Sequence, residues 1–270
     1  MSDDDSAGSR SEVTAAPVAV VTGANRGIGR AIATVFAATG YAVVVTARDV
    51  ESLGDTVAEI ESGGGVALAL PCDVRDEASV AAMAKAVTER FGAVHTVVAN
   101  AGVAGPTAPL HQIDLRDWQD CIATDLDGVF LTFRAFIPGL LSAGTGSLIA
   151  VSSMTGKRPL FGRTPYAAAK MGVIGLVRTL ALELGPHGIR VNTVCPGAVD
   201  GPRIAQVVRL QAEAGGITEA QALAAFTDSS PMGRLVTAEE VARTCAFLSS
   251  PAAAAITGED LNVTAGAVMY

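Results

Sequence analysis

Short apolar runs rich in valine and isoleucine alternate along this chain with longer alanine-rich stretches. The runs are apolar nearly throughout, which is typical of parallel strands buried on both faces of a sheet. Stretches between them, such as Gly27–Ala38, Ala78–Phe91 and Tyr166–Leu184, carry apolar residues at helical spacing. This alternation predicts an α/β fold, a doubly wound parallel sheet of seven strands with right-handed helical crossovers on both faces. The predicted strands are Val18–Thr22, Tyr41–Thr46, Val66–Leu70, Val94–Asn100, Ser147–Ser152, Ile189–Val194 and Asp260–Val263.

One long segment, between Pro196 and Thr237, departs from the alternation. It carries two helical patterns, Ile204–Glu213 and Thr218–Phe226. The segment follows the carboxyl end of a strand, which is where ligands bind in sheets of this kind. We therefore expect a helical lid over about residues 198–236, with a plain surface excursion as the alternative.

The amino-acid composition and the net charge of the chain mainly serve to exclude classes of function. The net charge of −8 argues against binding to nucleic acid. No run of about 18 apolar residues is present, so no membrane-spanning segment is expected. Residues 1–16 are acidic and polar, which predicts a disordered tail rather than a signal peptide, with one domain over residues 17–270. The 4 cysteines form no C-x-x-C pair and the 3 histidines are scattered, so we expect no disulfide, no metal site and a cytoplasmic protein.

A glycine-rich turn follows the first predicted strand and opens the first helix. Its glycines allow a sharp bend and a close approach of the backbone to a ligand, and the helix N-terminus presents free amides to an anion. This position, between strand and helix, is the one that binding of a dinucleotide pyrophosphate requires in the Rossmann fold. The predicted contacts are Gly23, Asn25, Arg26, Gly27, Ile28 and Gly29.

The spacing G-x-x-x-G-x-G in that turn resembles the short-chain dehydrogenase/reductase family, and the resemblance covers about residues 17–266. Other family elements recur after the third, fourth and sixth strands. The resemblance implies that they bind the cofactor, with the Val199 backbone serving the nicotinamide carboxamide because Gly201 replaces the usual threonine. These implied contacts are Asp73, Val74, Asn100, Ala101, Gly102, Pro196, Gly197 and Val199.

The tip of the second strand bears on the choice of nicotinamide cofactor. An NAD enzyme usually places a carboxylate there for the adenosine ribose, but the family position holds Ala47. Arg48 follows it, and Arg26 lies in the glycine turn. Guanidinium groups suit a 2′-phosphate, so NADP(H) is expected, unless Asp49 binds the ribose.

Tyr166 and Lys170 stand one helical turn apart and carry the predicted chemistry. An ammonium group beside a phenol favours the phenolate, so the pair can exchange a proton during hydride transfer. The family resemblance implies that Tyr166 and Lys170 also contact the cofactor. It further implies that Ser153, thirteen residues before Tyr166, hydrogen-bonds the substrate oxygen.

The fourth catalytic position of the family is an asparagine, and here it is Asp125. The resemblance implies a relay or structural role for this residue. We expect its carboxylate to pair with Lys170 and to weaken the effect of the ammonium on Tyr166. Activity should survive, with a pH optimum shifted upward.

The sequence thus predicts an NADP(H)-dependent oxidoreductase that reduces a ketone or aldehyde, or oxidises a secondary alcohol. Two alternatives stay open: a 3-oxoacyl thioester reductase of the same family and a non-catalytic NADP-binding sensor. The substrate is expected to be a small molecule, in an apolar pocket lined by Pro106, Met154, Leu160 and Phe161. Arg203 is expected to be a solvated lid residue, with binding of an anionic group as the alternative. The family resemblance implies a homotetramer.

Overall fold

The computed structural model describes residues 16–270, so the predicted tail lies outside the described residues except for the exposed Ala16. Seven strands form one parallel sheet in the order β3-β2-β1-β4-β5-β6-β7. The predicted doubly wound α/β fold is therefore confirmed. The strands are β1 Val18–Thr22, β2 Ala42–Ala47, β3 Val66–Pro71, β4 Thr96–Ala99, β5 Gly146–Val151, β6 Ile189–Pro196 and β7 Asp260–Val263.

Nine α-helices occupy the described chain, and the three predicted from spacing fall within two residues of their observed bounds. They are α1 Gly27–Ala38, α2 Gly54–Ser62, α3 Glu77–Phe91, α4 Leu115–Ile122, α5 Gly128–Ala143, α6 Thr164–Leu184, α7 Pro202–Gly215, α8 Glu219–Thr227 and α9 Ala238–Ser249. A π-helical turn, Ala123–Asp127, joins α4 to α5 into one continuous helix. Such turns are frequent at functional sites, and this one contains Asp125.

The sheet separates two apolar layers. Consecutive β1 residues enter opposite layers: Val20 packs with Phe133 and Val173 on one side, and Val21 packs with Ile32 and Leu248 on the other. Because both faces of each central strand are buried, the strands lack the alternation of polar and apolar residues that a half-exposed sheet would show.

Strand β4 is shorter than its apolar run predicts. Asn100 leaves the strand because its backbone amide donates to the Thr22 hydroxyl at 3.0 Å instead of to a neighbouring strand. At the other end, His95 accepts a hydrogen bond from the Val18 amide through Nδ1 at 3.0 Å. This histidine therefore joins two chain segments at the start of the sheet.

The continuous helix Leu115–Ala143 is long and apolar enough, by length and composition, to cross a membrane. A count of consecutive apolar residues does not find this helix, because the count stops at each scattered charge. The apolar face has a different use in this fold. Val129, Phe133, Phe136 and Leu140 are buried in the sheet's helical layer, as expected of a core helix.

Helices α7 and α8 form the predicted insertion after β6. They pack on each other through a small separate cluster built on Val208, Ala212 and Ala222. Two side chains attach α7 to the rest of the domain: Arg203 donates to the Gly102 carbonyl, and Gln211 donates to the Phe161 carbonyl at 3.0 Å. The pair of helices thus has its own core and few polar ties to the body.

Candidate active site

The glycine turn lies at the carboxyl end of β1, in the middle of the sheet. Gly23 and Gly27 adopt φ values of +65° and +55°, which side chains disfavour. A Cβ on Gly29 would stand 2.1 Å from the Gly23 carbonyl oxygen, so this position excludes every other residue. Around Gly27 the space is open. The sequence therefore folds into a cradle whose backbone a ligand can approach.

Helix α1 begins at this cradle without an internal cap. Arg26 occupies the N-cap position in extended conformation, its side chain caps no amide, and the first turn contains no acidic residue. The first amides of the helix are therefore available to an anion, together with the positive end of the helix dipole. This arrangement fits the pyrophosphate of a dinucleotide.

Asn100 and Ala101 hold the cradle in place from the end of β4. The Asn100 side-chain amide donates to the carbonyls of Thr22 and Gly23 at 2.9 and 3.1 Å. The Ala101 amide donates to the Thr22 hydroxyl at 3.1 Å. The cradle is thus fixed by a neighbouring strand before any ligand binds, and the Asn100 amide is already engaged in that task.

The adenosine end of the site is rich in charge. Arg26 and Arg48 are both exposed, while Asp49 accepts a hydrogen bond from the Glu51 amide at 3.1 Å within its own turn. Asp73 lies near Arg48 and is hydrogen-bonded by Arg75, which lowers the pKa of its carboxyl group below the ordinary value. The neighbouring Val74 is buried.

The predicted catalytic residues come from the end of β5 and the start of α6. Ser153 follows β5 and opens a short turn, and its hydroxyl accepts a hydrogen bond from the Thr155 amide at 3.1 Å. The turn lies tightly on α6: a Cβ on Gly156 would stand 2.8 Å from the Lys170 carbonyl carbon. Tyr166 lies in the first turn of α6, and the Lys170 ammonium is 5.6 Å from its ring centre. The structure therefore gathers all three residues in one region.

Asp125 joins this group through the π-helical turn. Its Oδ2 lies 3.6 Å from Lys170 Nζ, and its Oδ1 accepts a hydrogen bond from the Val103 amide at 2.7 Å. Lys170 also donates to the Val151 carbonyl at 3.1 Å. Both charged side chains are buried, at 4% and 0% exposure. The aspartate thus faces the ammonium and also fixes the loop after β4.

Arg163 is a site residue that sequence reasoning missed. It directly precedes α6, is 3% exposed, and places its guanidinium carbon 4.9 Å from the centre of the Tyr166 ring. The available signal was its position three residues before the tyrosine, a spacing that places two side chains on one face of a helix. Cys121 lies close by, and burial raises the pKa of its thiol to about 12, so it stays neutral.

The sixth strand supplies the remaining predicted cofactor contacts. Pro196 ends β6, and a Cβ on Gly197 would stand 2.9 Å from Thr264 Cα, so the chain passes closely there. Val199 pairs with Val236 at the base of the lid.

The predicted substrate contacts lie in different environments. Met154 is buried, Pro106 and Leu160 are half-buried, and Phe161 is 64% exposed. Arg203 is exposed, as expected of a lid residue, yet its side chain reaches the Gly102 carbonyl.

Comparison with known proteins agrees with this geometry. The profile of a family described as Enoyl-(Acyl carrier protein) reductase matches residues 23–268. The chain belongs to the short-chain dehydrogenase/reductase family. It is 40% identical, over 94% of its length and 98% of the relative's, to cis-4-hydroxycyclohexanecarboxylate dehydrogenase of Sinomonas cyclohexanicum.

Two solved structures are similar over the whole fold. A variant of actinorhodin polyketide ketoreductase with NADPH is 38% identical, with a TM-score of 0.90 over 94% of this chain and 98% of that one. An NAD+-bound xylitol dehydrogenase is 28% identical, with a TM-score of 0.90 over 93% and 98%. The protein is therefore an oxidoreductase of the short-chain family that acts on alcohols or ketones with a nicotinamide cofactor. The sequence predictions of family and reaction class are confirmed.

Proposed function

We propose that this enzyme reduces a ketone, or oxidises the corresponding secondary alcohol, with Tyr166 as proton donor and acceptor. The observation that carries this proposal is the cluster at the end of β5, where Ser153, Tyr166 and the buried Lys170 share one region with the glycine cradle. A sensor would have no use for a proton donor beside an ammonium, so the cluster favours an enzyme over a non-catalytic binding protein.

The nicotinamide, when bound, supplies or accepts the hydride. The chain's own residues then have separate tasks. The Ser153 hydroxyl donates a hydrogen bond to the substrate oxygen and steadies the charge that develops there. Tyr166 gives its phenolic proton to that oxygen during reduction and recovers one afterwards. Lys170 holds positive charge beside the phenol, and Asp125 fixes Lys170 and the Val103 amide.

The cofactor fits the cradle through Gly23, Gly27, Gly29 and the free amides of α1. We propose NADP(H) rather than NAD(H). Arg26 and Arg48 are exposed and make no ion pair within residues 16–270, whereas Asp49 is engaged by its own turn. Guanidinium groups bind a phosphate in bidentate fashion, so these two side chains suit the 2′-phosphate. The remaining contacts proposed are Asn25, Ile28, Asp73, Val74, Asn100, Ala101, Gly102, Pro196, Gly197 and Val199.

A second candidate substrate is a 3-oxoacyl thioester. The description of the matched family profile, which names the acyl carrier protein, supports this candidate. Helices α7 and α8, which have their own small core, are proposed as the lid over either substrate. The two candidates differ in size, so a thioester requires the lid to open further than a small cyclic ketone does.

The proposed assembly is a homotetramer. Exposed large apolar side chains stand on α4 and α5 (Leu115, Phe130, Leu141) and on α6 (Met171, Leu182). Surfaces of this kind mark protein interfaces. Light scattering after size exclusion tests the assembly. The free, buried state of the 4 cysteines suits the cytoplasm, which we propose as the compartment.

The direct test measures the loss of absorbance of the reduced nicotinamide when the enzyme is incubated with each member of a panel of ketones and acetoacetyl thioesters. We expect turnover of at least one ketone, faster with NADPH than with NADH. A double variant, Arg26→Ser with Arg48→Ser, should lower the NADPH preference by about tenfold or more. Tight cofactor binding without any turnover would favour the sensor, and an unchanged preference in the double variant would contradict the NADP assignment.

A further inference from the structure

Arg163 is a buried cation, and not all of its N–H donors have an acceptor among residues 16–270. It is 3% exposed, and its guanidinium donates to the Ala104 carbonyl and, at 3.3 Å, to the Thr107 hydroxyl. Its Nε is buried and has no hydrogen-bond partner among residues 16–270. Within residues 16–270 no carboxylate oxygen lies within 4.0 Å of it. A guanidinium offers five N–H donors, so part of this one is left without an acceptor.

Such a cation is costly to bury alone. Desolvation lowers the pKa of Arg163 despite the opposing influence of nearby acidic groups. Folded proteins seldom keep a buried charge without an ionic partner, because the lost hydration is not recovered. The cation therefore needs an anionic partner, which residues 16–270 do not supply.

The location of Arg163 indicates where that anion belongs. Its guanidinium lies on the Tyr166 ring, 4.9 Å from the ring centre, and its donors engage the loop after β4. A second guanidinium, Arg203 of the lid, reaches the same loop at Gly102. The Asp125 carboxylate, which lies in this region, faces Lys170 instead. Two guanidiniums, neither with a carboxylate partner among the described residues, therefore reach the same loop, and one of them lies on the Tyr166 ring.

We propose that Arg163, assisted by Arg203, binds a carboxylate on the substrate, so that the natural substrate is a keto acid or hydroxy acid. The inference rests on the proposed function and adds its substrate class. A carboxylate accepts two parallel hydrogen bonds from a guanidinium, which orients the substrate as well as holding it. The acid group then lies a short distance from the reacting carbon, as in a small ring or chain with the two groups at opposite ends.

The test compares matched acids and methyl esters as ketone substrates with NADPH. The pairs are 4-oxocyclohexanecarboxylate, 4-oxopentanoate and 3-oxobutanoate with their methyl esters. For the wild-type enzyme we expect at least one acid to exceed its ester in kcat/KM by about 10- to 100-fold, the effect of charged hydrogen bonds. Arg163→Gln should abolish that preference, so that the loss in kcat/KM is about 10- to 100-fold larger for the acid than for its ester.

Arg158→Gln is the matched control, because Arg158 is exposed and lies in the same connection between β5 and α6. It should leave the ratio of acid to ester unchanged. Thermal unfolding of both variants separates folding from binding. An equal loss on acid and ester in Arg163→Gln, or a wild-type preference for esters, would overturn the proposal.

A binding measurement keeps the inference separate from the reaction itself. Titration calorimetry measures the binding of cyclohexanecarboxylate to the NADP+-saturated protein. Cyclohexanecarboxamide is the neutral control. If no ketone is reduced, the proposed function fails, yet carboxylate binding by the wild type and not by Arg163→Gln still supports the inference. Equal binding of acid and amide, or equal binding by both proteins, rejects it.

Discussion

Two buried cations contact the ring of Tyr166, and they have different hydrogen-bond and ionic partners. Lys170 faces the Asp125 carboxylate at 3.6 Å and donates to a strand carbonyl. Arg163 has a carbonyl and a hydroxyl as partners, and its Nε has no acceptor in the described part of the chain. The first cation is paired within the fold, and we propose that it assists the proton transfer. The second remains a net charge beside the same phenol, and we propose that it binds the substrate carboxylate.

Removing Lys170 should have the largest effect on stability. In Lys170→Met the Asp125 carboxylate would stay buried without its cation, which costs about 3–5 kcal/mol of unfolding free energy. Turnover should fall as well, because the positive charge beside the phenol is lost. Lys85→Met is the control: its ion pair with Glu89 is exposed, and such pairs contribute about 0.3–0.5 kcal/mol. Equal urea midpoints for the two variants would contradict the assignment.

Removing Arg163 should change stability much less. Arg163→Met leaves the Ala104 carbonyl without its donor but also removes an unpaired buried charge, and the two effects oppose each other. We expect a free energy of unfolding within about 1 kcal/mol of the wild type. Urea unfolding of this variant, run beside Lys170→Met, makes the comparison. A loss as large as that of Lys170→Met would make Arg163 a structural clamp on the loop after β4.

The smallest expected effect concerns the charge of Asp125. Asp125→Asn can keep the hydrogen bond from the Val103 amide while it removes the negative charge near Lys170. The ammonium then no longer faces a carboxylate, so we expect the pH–rate profile to move downward. Steady-state rates across pH provide the measurement. An unchanged profile would show that the aspartate acts through its hydrogen bond alone.

The fold was largely predictable because its signals are local and repeated. Fully apolar runs predict strands buried on both faces, and the glycine turn must follow the first of them for its geometry to work. The strand ends were less predictable. Asn100 belongs to the apolar run by sequence, but its amide bonds to Thr22, which is 78 positions away. A contact between residues so far apart in sequence cannot be seen in the local pattern of apolar and polar residues.

The residues of the candidate site could be predicted at positions that belong to the family motifs, and not at other positions. Ser153, Tyr166 and Lys170 stand at family spacing, and the substitution at Asp125 was visible as a departure from it. The π-helical turn that carries Asp125 was not predicted, since its residues read as ordinary helix. Arg163 was also missed, because an arginine before a helix normally lies in solvent. Its burial depends on the loop after β4, which the local sequence does not specify.

The central claim is that Tyr166 exchanges the proton during hydride transfer. The most direct measurement compares the turnover of wild type and Tyr166→Phe on the same ketone, with NADPH binding followed by the fluorescence of the reduced nicotinamide. We expect kcat of Tyr166→Phe to fall about 10²- to 10⁴-fold while the cofactor still binds. A kcat close to the wild-type value, with the cofactor bound equally well, would contradict it.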